Sequence, residues 1–228
     1  EEPTVAPTEV PTEAPTEAPT ESPTEALAGT KAEVQTETPV QISAQDDYPE
    51  LRSLSEVKRK ALKRLIIAGD RVIFNFSQDD YSEGIDPQSQ KVYLFEKEER
   101  TEIQQGTLTD LSLLEGLDLH VLYLVNQPLR SLDGIEKMKN LNDVRICSCE
   151  NLEDISPLLQ LENLMNIDLM GNHLKTVGSF EKLKNMNSIW IIDPAIEDLS
   201  GLSGWNNTSY LDGKGATLRL ECPLVSNR

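Results

Sequence analysis

Apolar residues occupy the same columns in four consecutive segments of the chain. The segments span residues 119–140, 141–163, 164–185 and 186–207, which are 22, 23, 22 and 22 residues long. Each segment is too short to enclose a hydrophobic core alone. A shared period of this length therefore predicts coils that stack and bury their apolar faces against each other, as in a solenoid.

Within the first segment the spacing of the apolar residues changes from two to three. Leu122 and Leu124 are two residues apart, which predicts a short strand with both side chains on one face. The later apolar positions recur every third residue, a spacing typical of a 3₁₀-like or irregular return leg. They are Leu129, Leu132, Ile135 and Met138. We therefore expect an α/β solenoid in which each coil is a short parallel strand and a return leg.

The third segment resembles the leucine-rich repeats, in the short 22-residue form of internalin-like bacterial surface proteins. The family pattern is met by Leu164, Ile167, Leu169, Asn172 and Leu174. In the second segment Cys149 replaces the Asn, as in the family's variant that is one residue longer. Gln127 and Pro194 stand at this position in the first and fourth segments, so we expect the family's ladder of buried amides to be broken there.

The chain divides into four regions by composition. Residues 1–45 carry a proline at every fourth position from 3 to 23 and no aromatic residue, which predicts a disordered Pro/Thr/Glu-rich tether. We expect an N-terminal cap and a degenerate first coil in 46–107, repeats in 108–207 and a C-terminal cap in 208–228. Val92 and Leu94 are expected to supply the strand of the degenerate coil.

The predicted N-terminal cap begins with a helix. Ser53 and Glu56 have the spacing of a capping box and predict about three helical turns, followed by strands in 65–68 and 72–76. Five basic residues accompany the helix: Lys58, Arg59, Lys60, Lys63 and Arg64. They favour a cap whose charges are neutralised internally or, alternatively, a patch for an anionic lipid or polymer.

The charge of the chain makes nucleic acid a poor partner. The 228 residues carry a formal net charge of −18, and residues 1–50 contain twelve acidic side chains and one lysine. The Pro-Thr-Glu tract resembles linkers of secreted or wall-associated Gram-positive bacterial proteins. This resemblance implies an extracellular, cell-surface or membrane-anchored protein whose signal or anchor precedes Glu1. We expect no membrane span within the chain, because it has no apolar stretch of about 18 residues.

The sequence offers little for catalysis. His120 and His173 occupy different repeat columns and no catalytic motif is present, so we expect a protein that is not an enzyme and needs no cofactor. The three cysteines do not make a disulfide framework. We expect Cys149 to be buried and Cys147 to face solvent, and a metal site is not predicted because a Cys-x-Cys pair lacks further ligands.

Strand residues that point away from the repeat core predict a ligand-binding surface on the concave face. These residues are Tyr123, Arg145, Asp168, Met170, Trp190 and Ile192. Tyr, Trp, Met and Arg are enriched in protein interfaces, and the resemblance implies protein ligands. We therefore expect a monomeric extracellular or cell-surface module that binds a protein of unknown identity. Two alternatives stay open: loops or caps cover this surface, or the domain is a non-catalytic accessory to a larger enzyme or receptor encoded upstream.

Overall fold

The computed structural model describes residues 48–86, 88–204 and 217–221. The predicted tether at 1–45 lies outside the described residues, as does the predicted C-terminal cap apart from 217–221. The strands are β1 (Arg64–Ala68), β2 (Arg71–Phe74), β3 (Tyr81–Ile85), β4 (Val92–Glu96), β5 (Glu99–Glu102), β6 (Val121–Val125), β7 (Asp143–Cys147), β8 (Asn166–Met170), β9 (Ser188–Ile192) and β10 (Thr217–Glu221).

A seven-stranded sheet runs along the solenoid in the order β10-β9-β8-β7-β6-β1-β2. Its neighbouring strands are parallel, except that β2 pairs antiparallel with β1. The return legs contain 3₁₀ helices at Ser112–Leu114, Ile135–Lys137, Leu158–Gln160 and Ser200–Gly204. The predicted parallel β-solenoid with 3₁₀ return legs is confirmed.

The repeat core lies between the sheet and the return legs. Leu122 pairs in register with Val144, Val144 with Ile167, and Ile167 with Ile189, and all four side chains are buried. Leu129, from the predicted return leg, is fully buried in the same cluster. Full burial of one such side chain stabilises a fold by about 1.5–3 kcal/mol, so the shared columns set the strand register.

The first coil takes its strand from β1, so the prediction that Val92 and Leu94 supply it was wrong. Leu65 aligns with Leu122 in register and is completely buried. Val92 and Leu94 lie in β4, which belongs to a second, three-stranded antiparallel sheet in the order β3-β4-β5. The repeat is hard to recognise because residues 69–107 separate β1 from its return leg.

The predicted three-turn helix is also wrong. Two shorter helices are present instead, α1 (Pro49–Arg52) and α2 (Glu56–Ala61). The N-cap of α2 is Ser55 rather than Ser53, and its side chain accepts a hydrogen bond from the Lys58 N–H at 3.4 Å. None of the α2 residues is buried. Its apolar spacing therefore reflects no packed helix face.

Basic side chains of this region contact nearby acceptors. The Arg59 guanidinium donates to the Glu115 carbonyl at 2.8 Å. Lys63 pairs with Asp118 at 2.7 Å, and Lys60 pairs with Glu56 at 2.6 Å. These contacts support the interpretation that the charges are neutralised internally.

The three-stranded sheet, which we call the covering sheet, packs on the outer sheet face. The outer sheet face is the face of the seven-stranded sheet that is turned away from the repeat core. The two surfaces share a second apolar cluster. We call residues 76–86 and 88–106, which contain the covering sheet, the covering segment. The buried members of the cluster are Ile66, Ala68, Val121, Tyr123, Val125 and Cys147 from the seven-stranded sheet, with Phe76, Val92, Leu94 and Ile103 from the covering segment.

Two glycines show how closely the covering segment approaches. A Cβ at Gly69, after β1, would lie 2.8 Å from the Ile103 side chain. A Cβ at Gly171, after β8, would lie 2.7 Å from Ile85 in β3. Both glycines have positive φ, which side chains rarely adopt. The covering segment therefore extends from β1 to the end of β8, with β3 on the side of β8.

Candidate functional site

The strand register arranges the predicted binding residues in two rows. Tyr123 pairs with Arg145, Arg145 with Asp168, and Asp168 with Trp190. The adjacent row runs Val125, Cys147, Met170 and Ile192. Since neighbouring strands are about 4.8 Å apart, four side chains in a row span roughly 15 Å. The structure thus brings all six predicted residues onto one face.

The covering sheet closes one end of these rows. Tyr123 is completely buried, with the Phe76 ring centroid 5.1 Å from its own. Cys147 is only 1% exposed, so the prediction that it faces solvent was wrong. Burial raises the pKa of its thiol. Neither side chain is accessible for ligand contact, and for these columns a covering segment replaces the expected open surface.

Arg145 lies at the border of the covered region, among three carboxylates. The guanidinium is 3.3 Å from Asp168, 3.7 Å from Asp143 and 3.7 Å from Glu83. It also lies 4.4 Å from the centroid of the Tyr123 ring, in cation–π geometry. Glu83 Oε2 and Asp143 Oδ1 are buried and have no hydrogen-bond partner among the described residues. One cation therefore balances three acids in a largely desolvated cluster.

Desolvation raises the pKa values of these carboxyl groups. Burial raises the pKa of Glu83 to about 7; the Arg145 charge opposes the rise, and Asp168 and Asp143 add to it. Burial likewise raises the pKa of Asp168 to about 6 against the attraction of Arg145. Burial also raises the pKa of Asp143. Proton uptake by Glu83 near neutral pH therefore reduces the excess of negative charge around Arg145.

From Asp168 onward, at the edge of the Arg145 cluster and of the covering sheet against which Met170 packs, the outer sheet face is partly exposed. Asp168, Met170, Trp190 and Ile192 are all half-buried. We call these four residues the open patch. It combines one carboxylate with three large apolar side chains, a composition found where proteins meet. The indole of Trp190 is only partly exposed, beside two other partly exposed apolar side chains.

Glu83 and Asp143 are site residues that sequence reasoning missed. Asp143 occupies the outer column of its strand, yet it looks like an ordinary surface acid. Glu83 lies in the alternating segment Tyr81 to Ile85, whose pattern could have indicated a strand with Glu83 on its apolar side. Its approach to Arg145 depends on how the covering sheet packs, which the sequence pattern does not specify.

The buried polar ladder continues where a break was predicted. The Gln127 side chain accepts from the Leu108 N–H at 3.1 Å and donates to the Gly69 carbonyl at 2.8 Å. It also accepts from the Tyr48 hydroxyl at 2.6 Å. The Gln127 amide thus makes the backbone hydrogen bonds expected of an Asn, and its longer side chain also bonds to the first coil. The prediction of a break at this position was wrong.

Asp193 continues the ladder beside Pro194. Its Oδ2 accepts from the N–H groups of Asn172 at 3.1 Å and Leu174 at 3.0 Å. Asn172 in turn accepts from the Cys149 N–H at 2.9 Å. Cys149 is fully buried as predicted, and burial raises its thiol pKa to about 12. The ladder fixes the turn after each strand and thereby the outer sheet face.

Neither a group of potential metal ligands nor a helix able to span a membrane occurs among the described residues. No group of three or more His, Cys, Asp or Glu side chains is placed to hold a metal ion. No helix of this part of the chain has the length and apolarity needed to cross a bilayer.

The repeat signature is shared with known leucine-rich repeat proteins. Over 79 residues the chain is 38% identical to leucine-rich repeat-containing protein 56 of mouse and, equally, of human, which is 35% of this chain and 14% of each relative. Human leucine-rich repeat-containing protein 4C is 30% identical over 69 residues, 29% of this chain and 10% of that protein. No protein-family profile matches the chain. The similarity and the solenoid together support a leucine-rich repeat architecture, although the chain spans only a small part of these relatives.

Proposed function

We propose that this chain is an extracellular or cell-surface module that binds a protein through the open patch. The main support is the position of Trp190, which lies in one row with Arg145 and Asp168 but beyond the covering sheet. Leucine-rich repeat relatives suggest an interaction module rather than an enzyme. The location outside the cell is supported by the resemblance of the Pro-Thr-Glu tract to linkers of surface proteins.

The energetic contribution would concentrate on the apolar side chains of the patch. A Trp that becomes fully desolvated in an interface contributes about 2 kcal/mol or more when it is a hot spot. Met170 and Ile192 flank it in the adjacent row, so a partner can bury a continuous apolar surface. Asp168 supplies one charge whose pairing would select among partners.

The test begins with capture of the partner from the native surface by the full chain. Trp190→Ala should weaken binding of the captured protein about 30-fold. Val57→Ala is the matched control, since Val57 is 78% exposed on α2, outside the patch, and should leave affinity unchanged. Unchanged affinity with Trp190→Ala would overturn the proposed site. Protease accessibility of the native protein on intact source cells tests the location, and protection there would contradict it.

We also propose that α1, together with Leu62 after α2, closes the N-terminal end of the repeat core. Leu51 in α1 is completely buried, and Leu62 after α2 is 2% exposed, both in the same cluster as the repeat leucines. Leu51→Ala should then destabilise the whole domain by roughly 2–4 kcal/mol. A loss below about 1 kcal/mol in chemical denaturation would contradict this role.

A further inference from the structure

We propose that the partner of the open patch binds as an extended strand that pairs antiparallel with the free edge of β3 and places a cationic side chain beside Asp168 and Glu83. This inference rests on the proposed function and adds the form and chemistry of the partner. Three observations support it: the open backbone edge of β3, the surface of β8 and β9 beside that edge, and the charge of the Arg145 cluster.

The first support is the open edge of the covering sheet. Within the described parts of the chain β3 is an outer strand of that sheet, with β4 on one side only. The Lys97 N–H bonds to the Asp80 carbonyl at 2.7 Å, and the Asp86 N–H bonds to the Lys91 carbonyl at 2.9 Å. Bonded residues alternate with residues that face away in an antiparallel ladder, so the odd-numbered residues of β3 direct their backbone groups to the open edge. These residues are Tyr81, Glu83 and Ile85.

The second support is the surface that lies beside this edge. Glu83 approaches Arg145 in β7, and Ile85 approaches Gly171 after β8, so β3 lies above β7 and β8. One strand added at a spacing of about 4.8 Å would therefore lie above β8 and β9, over the open patch. Main-chain hydrogen bonds would supply affinity, and alternate side chains facing the patch would supply specificity.

The third support is the charge beneath the proposed strand. Three carboxylates surround Arg145, and the buried oxygen Glu83 Oε2 accepts no hydrogen bond from the residues that the structure describes. The Glu83 carboxylate interacts with the N–H of its own residue. An incoming carbonyl at that N–H would release the carboxylate toward a cation. A Lys or Arg directly opposite Glu83 faces the large sheet, next to Asp168, and would complete the charge balance.

Other occupants fit this edge less well. A second copy of the chain pairing β3 with β3 would set Glu83 opposite or near its equivalent, and like charges at such positions are destabilising. Residues 1–50 of the same chain hold a single lysine among twelve acids, so they carry the wrong charge. A cationic segment of another protein agrees with all three supports.

The experiment titrates the full chain with a capped peptide and follows amide chemical shifts by NMR. The peptide has the sequence Thr-Val-Thr-Lys-Thr-Val-Thr, so that Val, Lys and Val share one face when it is extended. We expect shifts in β3, β8 and β9. N-methylation of the central lysine removes the N–H that would bond to Glu83 and should weaken binding at least about tenfold. N-methylation of the threonine before it is the matched control, because that N–H points away from β3, and should change affinity by less than about twofold.

A second comparison tests the charge. The peptide with glutamate in place of lysine should bind at least about tenfold more weakly. Asp168→Asn should reduce the preference for lysine over glutamate, whereas Glu162→Gln, an exposed acid on a return leg, should preserve it. No binding of the lysine peptide, or equal affinity of the two N-methylated peptides, would overturn strand addition. If Trp190→Ala still weakens binding of the captured protein in that case, the open patch remains the proposed binding site and strand addition alone is rejected.

Discussion

Tyr123 and Trp190 occupy the same column of the repeat, three strands apart, and they have opposite surroundings. Tyr123 is completely buried beneath the covering sheet, whereas Trp190 lies beyond it and is half-buried. The repeat pattern treats the two positions alike. Their difference comes from the covering segment, which folds over one end of the outer sheet face and leaves the other end partly exposed. A repeat column therefore specifies which face a side chain occupies, and the inserted segment decides whether it reaches solvent.

The largest effect should appear when the two aromatics are compared directly. Tyr123→Ala removes a fully buried ring and should cost about 3–5 kcal/mol of unfolding free energy. Trp190→Ala should cost less than about 1 kcal/mol, because its side chain packs at a partly exposed surface. Chemical denaturation of both variants measures the contrast. Equal costs would mean that the covering sheet does not bury the Tyr123 column in solution.

Thiol labelling sharpens the comparison in the adjacent row. Cys147 is buried and its thiol pKa is raised by desolvation, so it should react slowly with a thiol reagent. Ile192→Cys places a thiol in the same row beyond the covering sheet, and it should react at least about 100-fold faster. Mass spectrometry assigns the rate to each residue. Similar rates would show that the covering sheet opens readily.

The border between the two regions should respond to pH. Folding raises the Glu83 pKa from 4.5 to about 7, so the folded state binds more protons than the unfolded state between these values. Unfolding free energy should therefore rise as pH falls from 8 to 5, by roughly 2 kcal/mol from this group. Glu83→Gln should flatten that part of the profile. A profile equally steep in the variant would assign the dependence to other groups.

The smallest effect is expected at Asp168, on the open side of the border. Asp168→Asn removes one of three acids around Arg145 and should change stability by less than about 1 kcal/mol at pH 8. Leu169→Ala, one residue along and 1% exposed, should cost roughly 2–5 kcal/mol. Thermal and chemical denaturation together check the pair. A larger loss of unfolding free energy for Asp168→Asn than for Leu169→Ala would mean that the strand register is shifted by one residue.

The sequence predicts the repeat coils well because their apolar columns record burial directly. The position of Leu169 in its coil and the alternation around Trp190 follow from a period of two within a known repeat. The covering sheet is not predictable in the same way. Val92 and Leu94 show an alternating pattern that fits a strand of either sheet. Their place in the covering sheet depends on the apolar cluster that they share with Tyr123. The break expected in the ladder at Gln127 is absent because its longer side chain bonds to Tyr48, a partner distant in sequence.

The antiparallel pairing of β2 restricts how this array can lengthen. Every repeat adds a strand parallel to its neighbour, and β2 presents the opposite direction at the N-terminal edge of the sheet. A duplicated repeat inserted before β1 would have to displace β2, whereas one inserted between β6 and β9 would meet matching strands on both sides. Gene duplication between β8 and β9 would therefore leave β2 in place and add a coil on the open side of the covering sheet.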